Sequence, residues 1–210
     1  MSVRVILAPP DIAPQRIADL LWSTDPALNG CIFGSMDALH RILQSEWPAT
    51  RGMLCHRHAF LAEDHGAISG LLVGHTAAEF PANFEAALEL QTQALLEAEA
   101  LHLREALKWM DRLFPAAREG TYYILELAVA PDAQGVGVAH KLLAAAQVRA
   151  LGAGCTHLCL DVAADNEAVA FYQHIGFVTE IETRMPYLAD TYGIGLHYHM
   201  TRPLEPASCA

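Results

Sequence analysis

No apolar run in this chain approaches the roughly 20 residues that a membrane-spanning helix needs. Its start, MSVRVILAPP, lacks a charged stretch followed by a long apolar core, so no export signal is expected and a cytoplasmic protein is. Basic residues are scarce: 13 Lys and Arg stand against 24 Asp and Glu, for a formal net charge of −11. That balance disfavours nucleic acid and anionic membrane as partners and mildly attracts cations. Charged residues are 18% of the chain and hydrophobic ones 53%, which excludes disorder and fits an ordered globule. The five cysteines, Cys31, Cys55, Cys155, Cys159 and Cys209, are odd in number and contain no C-x-x-C pair, so reduced thiols are expected. Two H-x-H pairs, His56/His58 and His197/His199, could each chelate a metal from one strand face. Neither has a carboxylate or cysteine at ligand spacing, so no metal is expected. Internal repeats and low-complexity tracts are absent, and 210 residues suit one domain spanning 1–210.

What is present centres on residues 125–142, LELAVAPDAQGVGVAHKL. Leu125 to Ala130 reads as a buried strand, ended by Pro131 and Asp132. Gln134-Gly135-Val136-Gly137-Val138-Ala139 then leads into helical spacing from Val138 to about Leu151. A glycine-containing loop at a helix amino terminus points several unpaired N–H groups one way, and the helix dipole adds positive potential. Such a loop is an anion cradle, most often for phosphate, and side chains at 135 and 137 would hold a phosphate away from the backbone. An ordinary glycine-rich turn remains the competing reading of the loop alone. Thr156 to Val162 reads as a second strand, after which Asp165 can cap a helix over 166–174 that leads to Gly176-Phe177.

On these residues the sequence resembles the GNAT family of N-acetyltransferases. The matching pieces are Leu127-Ala128-Val129 with Pro131-Asp132, the loop pattern carried by Gln134, Gly137 and Ala139, and the block DNEAVAFYQHIGF. Gln134 stands where Arg is commoner in that pattern, and Ala139 where Gly is commoner. The match in order and spacing covers residues 121–178. The resemblance implies an α/β (α+β) fold: a mixed, mostly antiparallel seven-stranded sheet flanked by helices. Its two central strands would be parallel and splayed.

The rest of the chain fits that outline. Val3–Ala8 reads as a first strand, Asp11–Trp22 and Met36–Trp47 as amphipathic helices, and the segment between them as a loop. Cys55–Glu63 and Ala67–His75 read as a hairpin across Asp64-His65-Gly66. Phe177–Met185 and Leu196–Arg202 read as strands around a loop at 187–195, and Pro203–Ala210 as a frayed tail. Residues 81–118 are unusual for the family, which has a tight hairpin there. They are rich in Ala, Leu and Glu, and as one rod the helical stretch would span roughly 46 Å at 1.5 Å per residue. Two helices or a kink are therefore expected. This insertion could cover the acceptor site, make a subunit contact in a homodimer, or extend the core.

The resemblance further implies a chemistry. Acetyl-CoA would be the cosubstrate. Leu127, Ala128 and Val129 would bind its pantetheine arm through the strand edge, with Asn166 hydrogen-bonding the same arm. Gln134, Gly135, Val136, Gly137, Val138 and Ala139 would take the pyrophosphate. Tyr172 would face the sulfur, protonated at pH 7 and able to stabilise a departing thiolate, although a core aromatic is the plainer reading. Glu126 and Asp161 are acids inside apolar runs, where burying a charge is costly unless it is paired or functional. Both are candidates for the base that deprotonates the amine, and water or a residue of the insertion is the third. Cys31, Phe33 and Trp47 are candidates for the acceptor wall and equally for core packing. The acceptor would be a primary amine on a small molecule, peptide or protein, with net acidity leaning toward a cationic small molecule. A non-catalytic acetyl-CoA-binding module fits the same motifs.

Overall fold

The alternating apolar segments become the strands of one sheet in a computed structural model, which describes residues 3–205. The strands are β1 (Arg4–Leu7), β2 (Ala59–Asp64), β3 (Ala67–Thr76), β4 (Thr121–Val129), β5 (His157–Ala163), β6 (Val178–Thr183) and β7 (His197–Pro203). They lie in the order β1-β2-β3-β4-β5-β7-β6, and every neighbouring pair is antiparallel except β4–β5. That one parallel pair requires a crossover, and the helix α6 (Val138–Gly152) supplies it. The β2–β3 turn places His65 at φ 50° and Gly66 at φ 85°, the paired positive φ values that a two-residue hairpin needs.

Among the described residues seven further helices surround the sheet: α1 (Pro14–Thr24), α2 (Pro26–Phe33), α3 (Met36–Glu46), α4 (Phe80–Ala94), α5 (Glu97–Leu113), α7 (Ala168–His174) and α8 (Pro186–Tyr192). Leu39, Leu43, Leu61, Leu71, Leu72 and Leu142 have no exposed surface, and burying each stabilises the fold by roughly 1.5–3 kcal/mol. Gly70 sets the height of α6 above the sheet. A Cβ there would come within 2.9 Å of Val138 and 3.1 Å of Leu142, so only glycine lets the first turn of α6 rest on β3. Among the described residues no helix is long and apolar enough to cross a membrane.

Several expectations are corrected. The segment read as a loop after Trp22 contains α2, because the side chain of Asp25 accepts from Leu28 N at 2.9 Å and Pro26 pre-sets the first turn. The loop read at 187–195 is largely α8, opened by Pro186 and closed by Gly193 at φ 74°. His56 and His58 lie in a short 3-10 turn ahead of β2 and not on a strand face. Asp165 does not cap α7: Glu167 holds the cap position without a side-chain bond, and Asn166 Oδ1 accepts from Ala168 N at 2.9 Å. Trp47 is core, 1% exposed, with Nε1 donating to Pro9 O. Pro203 closes β7, while residues 206–210, including Cys209, lie outside the described residues.

The insertion forms two helices, as its length requires, broken where Leu95 and Leu96 adopt extended backbone. Polar clasps hold it down. Glu46 is fully buried and accepts from Leu54 N at 2.9 Å and Gln91 Nε2 at 2.7 Å. Asn83 donates one amide hydrogen to His58 Nε2 at 3.1 Å and the other to His75 Nδ1 at 3.2 Å. His75 Nε2 donates to Met53 O at 2.9 Å, which fixes the neutral tautomer.

Burial and the neighbouring His58 hold the His75 imidazole at about 3, and His58 is lowered too, first by burial. Between those folded values and the ordinary value near 6.5 the unfolded chain binds more protons, so stability rises with pH through that window. Lowering the pH from 7 to 5 should remove about 2 kcal/mol of folding stability through His75 alone. Urea denaturation at the two pH values measures this, and His75→Gln should flatten the dependence.

Candidate active site

β4 carries one residue more than β3. Val73 pairs with Glu126 and Gly74 with Ile124, so Leu125 is a bulge with no partner. His75 pairs with Tyr123, and His75 and Val73 share a sheet face, so the bulge puts Glu126 on the face of Tyr123 and away from that of Ile124. On the other side of β4, pairing with β5 stops at Ile124–Leu160 although both strands run on. From Leu125 to Val129 the β4 edge that faces β5 is unpaired, which leaves backbone N–H and C=O groups open. The sheet splays here, as the sequence resemblance implies.

The chain leaves this edge through a 3-10 turn at Pro131–Ala133 and enters the glycine loop. Gly135 lies at φ 74° and Gly137 at φ 86°, left-handed values that favour glycine. Gly137 caps α6 with no side chain to satisfy the first amides, and the first helical hydrogen bond is Lys141 N to Gly137 O. Among the described residues, none donates to or accepts from the amides of Gly135 to His140. These amides border a groove of about 280 Å³ lined by Val129, Ala133–Gly135, Gly137–His140 and Phe171 of α7. Val136 is 51% exposed and does not line it. A run of free amides beside a groove at a helix amino terminus fits an anionic phosphate group.

The other wall is α7. Asn166 keeps its side-chain amide only loosely engaged, with Nδ2 3.5 Å from Thr24 O. Tyr172 is 7% exposed between Phe171 and Phe177, and its hydroxyl makes no hydrogen bond among the described residues. Burial raises its pKa above the ordinary value near 10, and the charge of Glu126 adds to the rise.

Glu126 Oε2 lies 3.0 Å from Thr24 Oγ1, which is also 2.8 Å from Leu21 O. Asn29 Nδ2 donates to Leu21 O at 2.9 Å and approaches Thr24 Oγ1 at 3.3 Å. The hydroxyl has one hydrogen. If it goes to Leu21 O, the Glu126 contact needs the proton on the carboxyl. Burial favours the same protonated form, pushing the Glu126 carboxyl up to about 8, with the Thr24 contact pulling down and the charge of Asp25 pushing up.

Asp161 sits differently. Its Oδ2 accepts the Tyr123 hydroxyl at 2.9 Å and its Oδ1 lies 3.0 Å from His199 Nδ1, with both Asp161 and His199 side chains 4% exposed. Each oxygen has a hydrogen-bond partner, so this carboxylate sits as the buried partner of Tyr123 and His199. Cys31 is buried against Met110 and Leu113 of α5, apart from this edge, while Phe33 is half-buried at the end of α2. Sequence reasoning missed Thr24, Asn29 and Phe171 as parts of the site. The end of the first helix was visible as a loop, but its approach to β4 was not.

The sequence matches the profile of the family described as "Acetyltransferase (GNAT) family" over residues 17–177. A solved N-acetyltransferase from Staphylococcus aureus Mu50 superposes with a TM-score of 0.64 at 16% identity, covering 94% of this chain and 99% of that one. An IAA acetyltransferase from Bacillus cereus ATCC 14579 gives 0.55 at 19%, covering 97% and 100%. N-acetylglutamate synthase from Neisseria gonorrhoeae, solved with coenzyme A and N-acetyl-glutamate, gives 0.55 at 17%, covering 98% of this chain and 36% of that one. No curated protein matches the sequence. The match to the family profile covers most of the chain, and the sheet with its splayed parallel pair agrees with it: this chain belongs to the acetyltransferase (GNAT) family.

Proposed function

We propose that this protein is an N-acetyltransferase that moves an acetyl group from acetyl-CoA to a primary amine by direct attack on the thioester. The observation that carries the reading is a pair of stretches of free backbone on either side of the 3-10 turn: the unpaired edge of β4 from Leu125 to Val129 and the unbonded amides of Gly135 to His140. Acetyl-CoA, when bound, supplies the acetyl group as an activated thioester. The loop amides, with Gln134 and Gly135 to Ala139 as its residues, hold the diphosphate, each charge-assisted bond contributing roughly 1.5–3 kcal/mol. The backbone of Leu127, Ala128 and Val129 pairs with the pantetheine arm as an added strand would, and Asn166 Nδ2 donates to the same arm.

An alkylamine arrives mostly protonated, so a base must take its proton. Glu126 suits that task better than Asp161, whose oxygens are both engaged. A carboxyl raised to about 8 accepts an ammonium proton far more readily than an ordinary carboxylate would. Tyr172, raised by burial, stays protonated and donates a hydrogen bond to the sulfur as negative charge develops there. The chain acts as a single domain in which α4 and α5 are an insertion that closes the acceptor side.

Because only ionised Glu126 can accept a proton, kcat/KM should rise with pH and level off above about 8. Glu126→Gln should lower kcat about 10²- to 10⁴-fold and remove that rising limb. Tyr172→Phe should lower kcat by roughly 10- to 100-fold with little change in KM for acetyl-CoA, since the phenol acts on charge that appears only during reaction. Gly137→Val, which forces a β-branched residue to φ 86°, should weaken coenzyme A binding by at least about tenfold in calorimetry while circular dichroism shows a folded chain.

A further inference from the structure

Helix α2 buries an asparagine for which the proposed reaction has no use. Asn29 is 3% exposed in the middle of that helix, where a polar side chain must find partners. Its amide turns back to the end of α1. Nδ2 donates to Leu21 O at 2.9 Å, and Thr24 Oγ1 lies 3.3 Å from the same nitrogen. Leu21 sits in the last turn of α1, where carbonyls lack partners inside the helix. Its oxygen accepts twice, from Asn29 and from the Thr24 hydroxyl at 2.8 Å. The same hydroxyl oxygen is 3.0 Å from Glu126 Oε2. The one hydroxyl hydrogen thus has two acceptors within reach, and Leu21 O already has another donor.

We propose that the Thr24 hydroxyl is a two-position switch that follows the proton on Glu126, and that Asn29 is the positioning residue that frees it to turn. This rests on the N-acetyltransferase reading given above, with Glu126 as its base. While Glu126 is protonated, its carboxyl O–H donates to Thr24 Oγ1 and the Thr24 hydrogen points to Leu21 O. An ionised carboxylate can only accept, so on ionisation the Thr24 hydrogen turns to Oε2. Asn29 then holds Leu21 O alone, and no buried carbonyl loses its last donor. In the reaction the amine N–H bond breaks and its proton joins the Glu126 carboxylate. The hydroxyl swings back to Leu21 O with its own hydrogen. Both states that a base must visit are thereby supported. Three other titratable groups face Glu126: Asp25, which follows Thr24 and pairs with His197, Tyr123 on the same strand, and Tyr172 of α7. Burial raises both phenols above their ordinary value, and Asp161 adds to the rise at Tyr123. Burial would raise the Asp25 carboxyl too, but His197 and the amides of Leu28 and Ala27 outweigh it and hold Asp25 below the ordinary carboxylate range. None of the three changes charge where Glu126 titrates.

The test follows Glu126 itself, by NMR titration of protein isotope-labelled at its glutamate carboxyl carbons, with Glu126→Gln assigning the signal. Thr24→Val keeps the shape of the side chain and removes the hydroxyl. It should raise the Glu126 midpoint by about one to two pH units, the worth of one hydrogen bond to a charged group. Thr24→Ser should stay near wild type. Asn29→Ala should raise the midpoint by about one unit although Thr24 is intact, because Leu21 O then keeps the hydroxyl. The rising limb of kcat/KM, followed by CoA release, should move with the midpoint in each variant. A midpoint that Thr24→Val leaves in place or lowers, or that a folded Asn29→Ala leaves in place, overturns the switch and leaves the N-acetyltransferase reading standing. If Asn29→Ala does not fold, Thr24→Ser against Thr24→Val decides: separated midpoints support the switch and equal ones overturn it. The expected midpoint shifts without acetylation of any amine would keep the switch and sink that reading.

Discussion

Leu125 is the residue on which the site depends. As an extra residue opposite β3 it shifts the alternation of β4 by one place, and that shift turns Glu126 from the face of Ile124 to the face of Tyr123. A bulge also increases local twist, which fits the loss of pairing with β5 just beyond Ile124 and Leu160. Backbone groups left open inside a sheet are costly unless water or a ligand satisfies them. The fold keeps the β5-facing edge of Leu125–Val129 in that state, with the glycine loop at the amino terminus of α6 beside it. One local irregularity thus supplies both the slot and the carboxyl beside it.

Burial does the electrostatic work that charge alone would not. The chain is acidic overall, yet the group proposed as base is a half-buried carboxyl whose proton is favoured by its surroundings. Its partner Thr24 has only one hydrogen, and while that faces Leu21 O, α1 offers Glu126 little to stabilise a negative charge. Asp161, one strand away, has the opposite environment, with a phenol on one oxygen and an imidazole on the other. Two carboxylates that look alike in sequence are separated by what surrounds each into one whose surroundings favour its proton and one held by two hydrogen-bond partners.

Much of this was legible beforehand, and the failures have physical causes. The strand–turn–helix from Leu125 to Leu151 and the block ending at Phe177 were readable because their local signals agree: apolar strand runs, Pro-Asp stops and glycines at the positive φ positions. The division of the insertion into two helices followed from length alone, and the break falls at Leu95–Leu96. Helices α2 and α8 were missed because both are short and open on proline, which reads equally well as a turn. Periodicity could not reveal the bulge at Leu125, since the strand's apolar run shows no break there. Nor could it bring Thr24 beside Glu126, because that contact joins residues far apart in the chain.

The proposed function requires that the free amides of the glycine loop and the open edge of β4 both bind coenzyme A. Amide hydrogen exchange with and without coenzyme A tests it most directly, because it reads those backbone groups themselves. The account predicts new protection at the amides of residues 135–140 and at alternate amides between 125 and 129, with β1 and β2 unchanged. Protection confined to other segments, or none at coenzyme A concentrations that saturate binding, would contradict it.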